Sequence, residues 1–240
     1  MRGIEIIYAD ENIIAVNKPP GVVMHRSPEM SAQAVETGFF LTDFLLEKFP
    51  EISRVGDEPK WRPGLVHRLD KDTSGVAVIA RNQKSFLRLK YIFQNRLAEK
   101  KYLAVVCGKP KRKRGVISFP IGRLANNPTK RGVEKGRSAI RGAREAVTEY
   151  EVLRAGEEFS LLELRPKTGR THQLRVHLKA IGHPVACDKI YGGAKVCCPE
   201  GCSRQLLHAN YISFEFSLEE EKPPSRFRFE ADPPEDFESM

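Results

Sequence analysis

Residues 65–80, LVHRLDKDTSGVAVIA, set two apolar halves on either side of a charged break. Leu65-Val66 and Val76-Ala77-Val78-Ile79-Ala80 are apolar and largely β-branched, which predicts two buried strands. Between them stand His67, Arg68, Asp70, Lys71 and Asp72. Charge placed between buried strands costs free energy unless it is paired, so the break has a structural or a chemical reason. The structural reading is a charged turn facing water. Asp72-Thr73-Ser74-Gly75 is good turn chemistry, because Asp accepts backbone N–H groups and Gly adopts positive φ. Asp70 has no such structural task.

Outward from this stretch, strand patterns dominate. IEIIYADENIIAV (4–16) predicts a hairpin turning at Asp10-Glu11-Asn12, and KYLAVVCG, AVTEYEVL, FSLLELRP and LLHANYISFEF predict further strands. TDFLLEKFPEI (42–52) predicts a short helix capped by Thr42 and stopped near Pro50. Residues 81–101 place Phe86, Leu89, Phe93 and Leu97 on one helical face. THQLRVHLKAIGHP switches to helix, with Leu174, Leu178 and Ile181 as its apolar stripe and Thr171 as its cap. The Gly-, Pro- and Asn-rich stretch after Cys107 lacks periodicity and predicts loop or irregular ribbon. Hairpin spacings and few helices predict an α+β fold: a mainly antiparallel mixed sheet with flanking helices and long loops.

The 240 residues can fill one large domain or two small ones. No segment has the apolar length of a membrane span, and the N-terminus lacks a secretory signal pattern, so a cytoplasmic location is expected. The net charge is +9, and it is unevenly spread. Residues 109–144 hold twelve Lys or Arg against Glu134 alone, more than the whole net charge, whereas 215–240 hold nine acids and three bases. So concentrated a basic zone predicts a polyanionic partner, nucleic acid first, although a solvated loop has the same composition. The five cysteines include four between Cys187 and Cys202. In a cytosolic chain free thiols are expected, with zinc on Cys187, Cys197, Cys198 and Cys202, and His183 and His208 nearby, as the weaker alternative.

There is no P-loop, no dinucleotide-binding glycine motif and no H-E-x-x-H, so chemistry without a nucleotide cofactor is expected. Asp70, beside Arg68 and Lys71, is a candidate nucleophile or base. Asp70 with Asp72 could alternatively bind a metal, as in nucleases, but no third carboxylate lies nearby in sequence. In LRPKTGRTHQLRVHLKAIGHP (164–184), Arg170 beside a helix N-terminus suits an anion. Arg175, one turn in, is either half-buried against a carboxylate or simply exposed.

ADENIIAVNKPPGVVMH, HRLDKDTSGVAVIARN, KKYLAVVCG and LRPKTGRTHQLRVHLKAIGHPVACDKIYGG, in this order, resemble the motifs of the RluA family of RNA pseudouridine synthases over about residues 8–216. The resemblance implies a single catalytic domain over 1–240, without the S4 domain that many members carry ahead of it. It implies isomerisation of a uridine in tRNA or ribosomal RNA with no cofactor and no metal, by a monomer. It makes Asp70 the essential catalytic residue, pairs Arg175 with it, and stacks Tyr102 on the target base. Leu174 would pack beside the site, and Arg68 would fill the gap left by the flipped uridine. Without an S4 domain, the basic segment, beginning with Lys111, Arg112, Lys113 and Arg114, would take more of the RNA gripping.

Overall fold

A computed structural model describes residues 3–28, 30, 33, 36, 38–134, 140–193, 196–219 and 223–237. The strands are, in chain order, β1 (Glu5–Ala9), β2 (Ile13–Lys18), β3 (Ser74–Ala80), β4 (Glu99–Cys107), β5 (Arg114–Ile117) and β6 (Ile121–Leu124). They continue with β7 (Asn127–Val133), β8 (Ile140–Arg144), β9 (Thr148–Ala155), β10 (Phe159–Pro166), β11 (Leu207–Phe216) and β12 (Ser225–Glu230). The α-helices among the described residues are α1 (Leu41–Lys48), α2 (Gln83–Gln94) and α3 (Gln173–Ala180). All strand pairings given below are antiparallel, so the expected α+β class is the observed one. The chain divides into two compact units.

The first unit is Met1–Glu99 with Ala209–Asp232. Its strand order is β1-β2-β3-β11, with β12 on β11. The hairpin turn is locked by Asp10, whose carboxylate accepts the N–H groups of Asn12 and Ile13 at 2.8 and 2.6 Å. β3 is buried at every position and β2 at all but Asn17, as continuous apolar runs require when both faces are covered. Their register sets Ile13 opposite Ala80 and Lys18 opposite Gly75. Phe86, Leu89 and Ile92 of α2 pack with Val76, Val78, Ile212 and Phe214 in one core cluster. Asn82 caps α2 by accepting the Ser85 N–H at 2.9 Å.

Three local expectations are corrected here. Leu65-Val66 is not a strand: only a bridge from Leu65 to Ile79 forms, because the chain turns away and the His67 ring takes the Val78 N–H. Thr42 does not cap α1. It is buried inside the helix, and the Leu41 and Thr42 N–H groups go to the carbonyls of Val23 and Met24. Leu97 leaves the α2 face, because the helix stops at Gln94 and Arg96 takes a positive φ of 60°, leaving Leu97 exposed. The acidic end contributes a strand, β12, whose Phe227 and Phe229 pack around Phe214.

The second unit is Lys100–His208 with Pro233–Met240. Its strands run in the order β4-β10-β9-β5, and β7-β6-β8 form a separate small sheet. The basic segment is thus more ordered than expected, with β5 to β8 along it; Lys135 and Arg137 lie outside the described residues. Leu174 and Leu178 of α3 pack on Ala104, Val106, Leu162 and Leu164. The cysteine expectation is also corrected. Cys107 pairs with Cys197 and Cys187 with Cys198 as disulfides, leaving Cys202 as a thiol. The missing partner was Cys107, remote in sequence, which the Val106–Val185 bridge brings beside Cys187's segment. Among the described residues no helix is long and apolar enough to cross a membrane, and no three His, Cys, Asp or Glu side chains form a metal-ligand set.

Candidate active site

In the first unit, HRLDK is a loop held at nearly every residue. His67 stacks on Phe93 with ring centroids 4.5 Å apart, and its Nε2 accepts the Val78 N–H at 2.9 Å. Leu69 is buried. The Lys71 carbonyl accepts both the Gly21 N–H and the Lys18 ammonium, at 3.0 and 2.9 Å. Lys18 is fully buried and also donates to the carbonyls of Pro19 and Val22. Between these anchors Asp70 is half-buried and Arg68 exposed. The Asp70 carbonyl accepts the Thr73 N–H, which closes the turn. Gly75 follows because β11 passes too close for a side chain: a Cβ there would land on the Ala209 carbonyl oxygen.

The second unit frames Arg175. The turn before α3 is built by Gln173, whose amide oxygen accepts the Thr168 hydroxyl and the Arg170 N–H, while its nitrogen donates to Val147 O and Thr148 Oγ1. Thr171 is not the cap. The residue before the helix is His172, in the left-handed region at φ 56°. His177 lies fully buried, with Nε2 against the Phe119 carbonyl at 2.9 Å and Nδ1 against Thr148 Oγ1 at 3.0 Å. Burial pushes its pKa down, partly opposed by the Phe119 carbonyl. These contacts explain the tight spacing of GRTHQLRVH.

Arg175 is 4% exposed, not a surface residue. Its Nε and Nη2 donate to the two carboxylate oxygens of Asp188 at 2.7 and 2.9 Å, and its Cζ lies 5.0 Å from the Tyr191 ring centroid. Asp188 is fully buried and also accepts the Ile190 and Tyr191 N–H groups. Burial opposes its ionisation, but the Arg175 hydrogen bonds and charge, with those two N–H groups, outweigh it and hold the carboxyl below its usual range. A carboxylate on a buried Arg175 is one of the two sequence alternatives, and Asp188 is such a carboxylate, one that the sequence reading does not name beside Asp70. Its signal was the unabsorbed acid and tyrosine of CDKIYGG.

Tyr102, on β4 opposite Leu164, packs half-buried against the cluster that contains Leu174. Arg170 donates through Nε to the Glu145 carbonyl at 3.0 Å. Lys111, Arg112, Lys113 and Arg114 are all exposed, and Arg114 bonds Glu151 at 2.7 Å. In the small sheet Arg123 stands opposite both Arg131 and Arg141. Like charges directly opposite each other are destabilising.

A model of the RNA pseudouridylate synthase family matches residues 12–180, and the chain belongs to that family. It is 36% identical over 213 residues to an uncharacterized RNA pseudouridine synthase of Synechocystis, covering 88% of this chain and 61% of the relative. It is 41% identical over 189 residues to the ribosomal large subunit pseudouridine synthase D of Borreliella burgdorferi, covering 79% and 55%. The chain thus spans little more than half the length of these curated relatives. The solved structure of human RNA pseudouridylate synthase domain containing 1 superposes with a TM-score of 0.75 at 28% identity, covering 96% of this chain and 84% of that one.

Proposed function

We propose that this protein is an RNA pseudouridine synthase acting on uridines of ribosomal RNA or tRNA. The observation that carries the reading is the framing of Asp70, an acid in a loop whose neighbours are fixed by Lys18, His67 and the buried Leu69. The reaction is an isomerisation. The N1–C1′ bond breaks, the base turns, C5 bonds to C1′, C5 loses its proton and N1 gains one. Asp70 acts on the ribose, as nucleophile at C1′ or base at C2′. Tyr102 stacks on the base and Arg175 supplies a fixed positive charge. Arg68, exposed at the loop, fills the stack when the uridine flips out. Leu174 packs beside the site, and Arg170, Lys111, Arg112, Lys113 and Arg114 hold the phosphates. A relative named for the large ribosomal subunit makes ribosomal RNA the first substrate to try.

The test is tritium release from uridine C5 in unmodified ribosomal RNA and tRNA transcripts, with EDTA present, for the wild type and for Asp70→Asn. Release by the wild type alone supports the proposal. Tight binding without release from either RNA class refutes it.

A further inference from the structure

Arg175 is held by more than an ion pair. Asp188 and Tyr191 come from one turn, and each fixes a different feature of the guanidinium. The bidentate carboxylate sets its plane, and the carboxylate itself is prevented from rotating by the Ile190 and Tyr191 N–H groups at 2.9 and 3.0 Å. The Tyr191 ring lies under the guanidinium and is 3% exposed. A buried ion pair is rarely the most stable filling for its volume, so its use here calls for a geometric reason.

The Tyr191 hydroxyl faces elsewhere. It accepts the backbone N–H of Arg131 on β7 at 3.0 Å and meets His172 Nδ1 at 2.8 Å. The contact with Nδ1 also steadies His172 in its left-handed conformation. One side chain therefore touches the guanidinium with its ring, and the basic strand and the entry to α3 with its hydroxyl.

We propose that Asp188 and Tyr191 are positioning residues for Arg175, and that the Tyr191 hydroxyl ties Arg175 to the basic β6–β8 sheet, so that RNA gripped there and the Arg175 guanidinium share one frame within the second unit. This rests on the reading of Arg175 as part of the catalytic machinery. The second function of the frame is to convert phosphate binding on Arg123, Arg131 and Arg141 into a fixed placement of Arg175. Small displacements of a catalytic group cost on the order of a hundredfold in rate, so a loosened frame shows in turnover rather than in binding.

The deciding variant is Tyr191→Phe, which keeps the buried ring and removes only the hydroxyl; Asp188→Asn is measured beside it. Single-turnover rates and RNA dissociation constants are taken in the wild-type and Arg175→Lys backgrounds. The expected result for Tyr191→Phe is a rate at least about tenfold lower, with RNA affinity within about twofold, and almost no further loss in the Arg175→Lys background. A merely structural tyrosine would cost the same in both backgrounds, and that outcome overturns the proposal, as does a wild-type rate for Tyr191→Phe. An Arg175→Lys variant at full rate overturns the reading of Arg175 and the proposal with it. A slow Arg175→Lys beside a fast Tyr191→Phe overturns the proposal alone.

Discussion

Replacing Asp188 by Asn isolates the energetics of the Arg175 cradle. The amide keeps the size of the carboxylate, and its oxygen can still accept the Ile190 and Tyr191 N–H groups. It removes the negative charge from beside a guanidinium that is 4% exposed, and it turns amide donors toward N–H donors. Removing one partner of a buried pair costs about 3–5 kcal/mol. For a chain of this size each kcal/mol moves the melting temperature by about 2–4 °C, so a fall of about 6–20 °C is expected at pH 7.5 by calorimetry or circular dichroism. The gap also depends on pH with a definite sign. The Asp188 carboxyl is held below its ordinary value in the folded state. Its contribution is therefore complete above the unfolded value, about 3.9, and is lost as pH falls through the lowered folded value. The difference between wild type and variant should be flat from pH 8 to about 5 and close below about 4. Adding Arg175→Met to Asp188→Asn should restore part of the loss by removing the buried charge. A single variant melting within about 2 °C of wild type, or a double variant lower than the single, refutes the argument.

Gly75→Ala should cost about 1–3 kcal/mol from the backbone conformation alone, at φ 111°, and more because the new Cβ lies within 2.7 Å of the Ala209 carbonyl carbon and amide nitrogen; a melting temperature equal to wild type would contradict this close approach. His177 is buried with a lowered pKa, so the unfolded chain binds the extra proton and stability should fall as pH drops below about 6.5. His25 shifts the same way for the same reason, burial, so His177→Gln should flatten the melting profile between pH 7.5 and 5.5 only in part; no change in slope would remove His177 as a contributor. Neutralising Lys111, Arg112, Lys113 and Arg114 should weaken RNA binding and reduce the slope of log affinity against log salt by up to about four charges, less if the Arg114–Glu151 pair already withholds one. An unchanged slope in a filter-binding salt series would show that this tract does not meet phosphate.

Periodicity carried far where local chemistry rules. The 4–16 hairpin, β3, β4, β9, β10 and β11 are legible from alternating or continuous apolar runs, and α2 from the face of Phe86, Leu89 and Phe93. The N-terminal cap of α1 was not legible, since its first N–H groups are satisfied by Val23 and Met24, carbonyls from outside the helix, whereas the stops near Pro50 and at Gly182 were. β5 to β8 escaped because charge and glycine mask a two-residue period, and β12 because it lies in an acidic, Pro-rich stretch. The Cys107–Cys197 disulfide escaped because its partners stand 90 residues apart, and the Cys187–Cys198 one because a cytosolic chain is expected to hold free thiols.

The sequence by itself determined the fold class, the HRLDK loop with Asp70 at its centre, the basic zone and, through its motifs, the family. These are properties of neighbouring residues, which local sterics, burial periodicity and charge density express directly. Only the tertiary structure decided that Arg175 is buried on Asp188 and stacked on Tyr191, that Lys18 holds the Lys71 carbonyl, and that Tyr191 reaches the strand of Arg131. Each joins groups that are distant along the chain or on different elements. Whether a buried charge finds its partner depends on packing, and no local pattern of residues encodes that meeting.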